Sequence, residues 1–133
     1  MMALINVVSH CEETVVQLGT VLRGRGHEIK SVVDSKLITA SEHIRARETE
    51  LLPELFVVDL DSDPQEAADS VRRLSKGPIT ALTPVLVAAS PESARGLALA
   101  CAYGASGLLR NPFTTVETVP DTERALAAIG PAA

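Results

Sequence analysis

Glu54–Gln65 reads ELFVVDLDSDPQ, and the way this stretch is taken decides the fold. Four apolar residues, Leu55, Phe56, Val57 and Val58, run straight into Asp59, and Asp61 and Asp63 follow at alternate positions. A run this short, rich in β-branched and aromatic residues, suits a buried strand better than a helix. Its lack of polar alternation is the pattern of a parallel strand covered on both faces. An acid placed where such a strand leaves the core lies at the carboxyl edge of the sheet, where open α/β folds put their ligand sites.

Outward from this strand the same pattern recurs. Leu4–Val8 (LINVV) and Pro84–Ala89 (PVLVAA) are two further buried strands, His27–Val33 (HEIKSVV) alternates and reads as an edge strand, and Ser106–Leu109 makes a short fifth. Helices fall between them. Ser9 with Glu12 suits a capping box, after which Val15, Leu18 and Leu22 recur at helical spacing until Gly24 and Gly26 stop the helix. Ser35–Glu50 carries Leu37, Ala40 and Ile44 on one face and reads as a second helix. Asp63-Pro64-Gln65-Glu66 is a helix start with Asp as N-cap and Pro in the first turn; Ala67, Val71 and Leu74 form its apolar stripe, and Lys76-Gly77-Pro78 ends it. Ser90-Pro91 repeats that start before a helix of small residues (Ala94, Leu97, Ala98, Cys101, Ala102) that closes at Gly104. The last helix has two candidate caps. Thr114 with Glu117 leaves Pro120 inside the helix, whereas Thr118 leaves it in the first turn; Leu126 and Ile129 face the core either way, and Gly130-Pro131 terminates it.

Five strands alternating with helices, joined by crossovers of one hand, predict an α/β fold: a doubly wound five-stranded parallel sheet with helices on both faces. The 133 residues suit one domain spanning 1–133, with 130–133 as a short tail. Aromatics are only 2% of the chain while hydrophobic residues are 46%, so Val, Leu, Ile and Ala must build the core. The net charge of −5 and the lack of clustered Lys and Arg argue against nucleic acid, and the stacking aromatics of single-strand binders are missing. Cys11 and Cys101 lie far apart in no metal or redox spacing, which fits two free thiols in a cytoplasmic protein. No signal peptide is expected, and no apolar run approaches the ~20 residues that span a bilayer.

The chain resembles a receiver domain of bacterial two-component response regulators over nearly its whole length. PELFVVDLD at Pro53–Asp61 resembles the third strand ending in the phospho-accepting aspartate, and PVLVAAS at Pro84–Ser90 the fourth strand. The most specific block is GLALACAYGASGLLRNPF at Gly96–Phe113, similar to the fourth helix, Gly-Ala turn, fifth strand and Lys-Pro-Phe loop. The resemblance implies strand order 2-1-3-4-5, with the ends of the first and third strands adjoining. It places the phospho-acceptor on Asp59. It also places the metal-holding acidic pair on Ser9 and His10, the Ser/Thr of the fourth strand on Ala89 (with Ser90 one residue further), the aromatic switch on Leu108, and the lysine on Asn111.

Only the acceptor is retained, and the departures have physical consequences. Phosphoryl transfer to a carboxylate depends on positioning and charge neutralisation, and Mg²⁺ wants oxygen ligands, commonly one or two carboxylates. Ser9 and His10 cannot replace two acids. Asp59 and Asp61 are the ligands left if Mg²⁺ binds, although Asp61 reads as a solvated loop acid, Asp63 as an N-cap and Glu12 as part of the capping box. Asn111 has no charge, and Ala89 no hydroxyl, to offer an acyl phosphate. His10 has two readings: an imidazolium neutralising Asp59 where a metal would sit, or an exposed residue at a helix start, where the helix dipole disfavours its charge.

The expectation is an atypical receiver domain, not an enzyme beyond self-phosphorylation at Asp59. It would act through protein contacts with its Mg²⁺-dependent switch impaired. Its partners would be a histidine kinase or a downstream signalling protein, with a homodimer through the fourth helix, fifth strand and fifth helix as a further arrangement. The alternative within the family is a conventional receiver phosphorylated on Asp59. In another class, Asp59-Leu60-Asp61 is similar to the nucleophile and acid/base pair of haloacid-dehalogenase phosphotransferases. That motif belongs on a first strand, however, and its Thr-containing continuation is missing. A calcium loop fails because Pro64 stands where Gly is required and Ser70 where Glu would close it, and no phosphate-cradling glycine loop appears.

Overall fold

The computed structural model describes residues 3–32, 53–77 and 80–128. Among these residues five short apolar segments are strands: β1 (Leu4–Val8), β2 (Glu28–Val32), β3 (Leu55–Asp59), β4 (Val85–Ala89) and β5 (Gly107–Arg110). All pair in parallel, in the order β2-β1-β3-β4-β5. Four helices accompany them: α1 (Glu12–Arg23), α2 (Pro64–Lys76), α3 (Ala94–Ala102) and α4 (Thr115–Ala127), with 3₁₀ turns at Thr80–Leu82 and Pro91–Ser93. The helix read at Ser35–Glu50, and Ile129, lie outside the described residues.

The period-two geometry of a strand divides the core into two layers. Ile5, Val7, Leu55, Val57, Leu86, Ala88 and Leu109 pack beneath α1 and α4 with Leu18, Leu22 and Leu126. Val8, Phe56, Val58, Val85, Val87 and Ala89 pack beneath α2 and α3 with Ala67, Val71, Leu74 and Ala100. All five residues of β3 are buried, which explains its uninterrupted apolar run: a central strand has no wet face on which to alternate.

Helix ends follow their local chemistry with two exceptions. Asp63 accepts the Glu66 N–H at 3.1 Å as N-cap of α2, with Pro64 in the first turn. Thr114 accepts the Glu117 N–H at 3.3 Å as N-cap of α4, so Pro120 sits inside that helix and Thr118 is not its cap. The exceptions are serines. The N-cap of α1 is Cys11, without a side-chain bond, so Ser9 and Glu12 form no capping box. Ser90-Pro91 opens the 3₁₀ turn, and α3 begins only at Ala94. Both serine hydroxyls are directed at carboxylates instead.

At the end of α3, Gly104 has φ +120°, and the Ala105 and Gly104 N–H groups close the helix on the carbonyls of Ala100 and Cys101 at 3.0 and 3.2 Å. A Cβ at Gly104 would run into the Ser75 side chain of α2. Gly104→Ala is therefore expected to lose upwards of ~1 kcal/mol, from the positive φ and the collision together. Urea unfolding of the variant checks this, and a stability equal to the parent's would contradict it.

Candidate functional site

The site lies at the carboxyl edge, where β1, β3, β4 and β5 end side by side. Val8 pairs with Val58, Asp59 with Ala88, and Ala89 with Arg110. The residues that follow these strands, Ser9, Leu60–Ser62, Ser90 and Asn111, therefore form one rim.

Asp59 is only 6% exposed, and both its oxygens are engaged. Oδ2 accepts from the Ser9 hydroxyl at 2.7 Å and the Ser62 hydroxyl at 2.5 Å; Oδ1 accepts from the Asp61 N–H at 3.0 Å. Ser9 is fixed in turn, because its Oγ accepts the Cys11 N–H at 2.9 Å. A buried carboxylate without a cation needs such donors, since an uncompensated charge in the interior is costly.

His10 does not neutralise Asp59. It turns outward and meets Glu66 of α2, Nε2 to Oε1 3.2 Å, with both side chains more than 40% exposed. Ser9 precedes it by one residue and faces the core, so the neighbour that reaches Asp59 is the hydroxyl and not the imidazole.

Asp61, expected as a solvated loop acid, is instead the centre of a second cluster. Its Oδ1 accepts from the Ser93 hydroxyl at 2.6 Å and the Ser90 hydroxyl at 3.0 Å, and its Oδ2 from the Asn111 amide at 3.2 Å. The Ser90 N–H lies 3.0 Å from both oxygens. Burial alone would push this carboxyl up. The hydrogen bonds from the Ser90 N–H and from Ser93, Asn111 and Ser90 outweigh it and hold Asp61 below its ordinary 3.8. Asn111 is set in place by its own N–H, which donates to the Ala89 carbonyl at 2.9 Å.

The remaining positions are apolar. Ala89 is buried beneath α2 and α3 and has no polar side chain to offer the rim, while Leu108 is half-buried against the same layer. Glu12 is exposed at the start of α1, and Asp63 is spent on its cap.

A hard dication fits this corner poorly. Where the implied magnesium would lie, between Ser9, His10, Asp59 and Glu66, the space is about 10 Å³, the bare minimum for one water. The first-strand positions supply a hydroxyl and an imidazole, not carboxylates. Among the described residues no group of three His, Cys, Asp or Glu is arranged to hold a metal ion. The partners that sequence reasoning missed are Ser62, Ser90 and Ser93. The available signal was a serine soon after β1, β3 and β4: Ser9, Ser62 and Ser90.

No family model matches the sequence, and no curated protein matches it. Solved structures do. A response regulator from Chloroflexus aurantiacus superposes with TM-score 0.74 at 22% identity, covering 96% of this chain and 99% of that one. The signal receiver domain of a signal transduction histidine kinase from Syntrophus aciditrophicus gives 0.75 at 17% identity, over 98% and 95%. NtrX from Brucella abortus gives 0.78 at 22% identity and covers 97% of this chain, which spans only 28% of NtrX. At such identities the likeness defines the fold: the chain has the five-stranded parallel architecture of response-regulator receiver domains. No helix among the described residues is long and apolar enough to cross a membrane.

Proposed function

We propose that this chain is an atypical receiver domain, a signalling module that works through protein–protein contacts and whose Mg²⁺-dependent aspartyl phosphorylation is impaired. One observation carries the reading: the carboxylate at the acceptor position is buried and has both oxygens hydrogen-bonded, by Ser9, Ser62 and the Asp61 N–H. An attacking carboxylate oxygen needs open lone pairs, a metal and cationic donors to offset the approach of a charged phosphoryl group. Asp59 has two hydroxyls and one backbone amide bonded to it instead. Asp61 does not convert the pair into a phosphotransferase, because an acid held below its usual range is a weak proton donor at neutral pH.

The partner-binding face proposed is the one formed by α3, β5 and α4. A groove of about 820 Å³ runs along β5, lined by Leu82, Leu86, Leu108, Arg110 and Arg124 among others. It offers apolar floor and charged rim to a histidine kinase, a downstream signalling protein or a second copy of the chain. The test concerns Asp59. After incubation with acetyl phosphate and Mg²⁺, intact mass is expected to show no acylphosphate. Stoichiometric, Mg²⁺-dependent labelling that disappears in Asp59→Asn would establish the conventional switch and sink this reading.

A further inference from the structure

We propose that Asp61 is a built-in ligand: its carboxylate fills an oxyanion cradle made by Ser90, Ser93 and Asn111 and ties the segments after β3, β4 and β5 into one closed arrangement. The donors come from elements far apart in sequence. Ser90 and Ser93 stand 29 and 32 residues from Asp61, and Asn111 stands 50. They meet on one side chain. A carboxylate offers about four acceptor sites, and here they are filled by the Ser90 N–H at 3.0 Å from each oxygen, the Ser90 hydroxyl at 3.0 Å, the Ser93 hydroxyl at 2.6 Å and the Asn111 amide at 3.2 Å. Every donor to Asp61 is neutral, and the exposed Glu92 carboxylate also draws on the Ser90 side chain.

This is the donor set of an anion site. Neutral N–H and O–H groups converging within a few ångströms bind an oxyanion through charge-assisted hydrogen bonds. The same groups would receive the oxygens of phosphate or sulfate if the side chain were removed. Because Asp61 is covalently attached, it competes at a high effective concentration, and a free anion does not displace it. The pinning also explains a local feature. Ser93, the N-cap residue of α3, makes no side-chain cap bond; its hydroxyl is turned to Asp61, where a hydrogen bond to a charged carboxylate is stronger than one to a backbone N–H. The inference concerns Asp61 and its donors, and it holds or fails independently of whether Asp59 is phosphorylated.

The experiment uses the full chain as wild type, Asp61→Ala and Asp61→Asn. Each is titrated with sodium phosphate or sodium sulfate at ionic strength held constant with sodium chloride. Thermal unfolding and amide NMR are the readouts. The wild type is expected to show no anion-dependent change in Tm. Asp61→Ala is expected to unfold several degrees lower, then to regain stability saturably with phosphate or sulfate, with matching shifts of the Ser90 and Asn111 signals. Adding Ser93→Ala and Asn111→Ala should abolish the response. If Asp61→Ala does not fold, Asp61→Asn supplies the test through the Ser90 amide, whose hydrogen exchange should accelerate relative to the wild type. An Asp61→Ala protein as stable as the parent overturns the proposal. So does one whose Tm ignores both anions, or whose response survives loss of Ser93 and Asn111, or an unchanged Ser90 exchange rate in Asp61→Asn.

Discussion

Leu60→Ala is expected to cost about 2–5 kcal/mol, the range for emptying a fully buried leucine site. It should do so without altering the urea m-value, since the surface exposed on unfolding barely changes. Leu60 is the residue between the two acids, and its side chain is 0% exposed. Its N–H donates to the Ala88 carbonyl at 2.9 Å, carrying the β3–β4 pairing one residue past the strand. Its methyl groups lie under the approach of α3 to α2. A Cβ added at Gly96 would stand 3.3 Å from Leu60 Cδ2 and 3.2 Å from Pro64 Cβ, so there is no slack into which the site could collapse. Truncation removes the post that turns the chain from Asp59, on its hydroxyls, to Asp61, in its cradle. Leu60→Met, which nearly conserves volume, should lose less than ~1.5 kcal/mol. Chemical denaturation of the two variants side by side checks the claim. A loss below about 1 kcal/mol in Leu60→Ala would show that α2 and α3 close the gap.

Much of this was legible in the sequence, for a reason that also explains what was not. β1, β3 and β4 are runs of Val, Leu, Ile, Phe and Ala that have no other economical use, and the Asp63-Pro64 start announces α2 through local chemistry alone. The strand order follows from the family resemblance and is what the sheet shows. At the rim, the partner that local spacing suggests for a side chain is not the one it takes. Ser9 and Ser90 both looked like caps. A neutral cap bond contributes about 1 kcal/mol, whereas a hydrogen bond to a carboxylate contributes ~1.5–3 kcal/mol, so a carboxylate within reach decides where the hydroxyl turns. That competitor lies 50 residues from Ser9 and 29 from Ser90, beyond any reading of spacing. Of the two readings of His10, the exposed residue at the helix start is the one that matches its geometry. Its place in the chain is next to the residue that touches Asp59, but successive residues at a strand end face opposite ways, and the imidazole meets Glu66.

Acidification from pH 7 toward pH 5 is expected to destabilise the protein through His27. This residue, just before β2, is 3% exposed. Its Nδ1 accepts the Ala3 N–H at 3.1 Å, which places the proton of the neutral ring on Nε2, and that atom has no hydrogen-bond partner among the described residues. Burial lowers its pKa below the ordinary 6.5, against the pull of Glu123 and Glu54 and with help from Arg25. The unfolded chain takes up a proton near 6.5, while the folded protein resists it, so below that pH protonation favours the unfolded state. The stability is therefore complete above about pH 6.5 and falls as the pH drops toward the folded value. Its limiting slope is about 1.4 kcal/mol per pH unit for one proton. Asp61 does not contribute in this window. Its folded pKa lies below 3.8, so its contribution is lost only when the medium becomes more acidic than that. His27→Asn, whose Oδ1 can still accept from Ala3, should flatten the dependence between pH 7 and pH 5. Denaturation curves of the two proteins across this range decide the matter, and an undiminished slope in His27→Asn would assign the loss to another group.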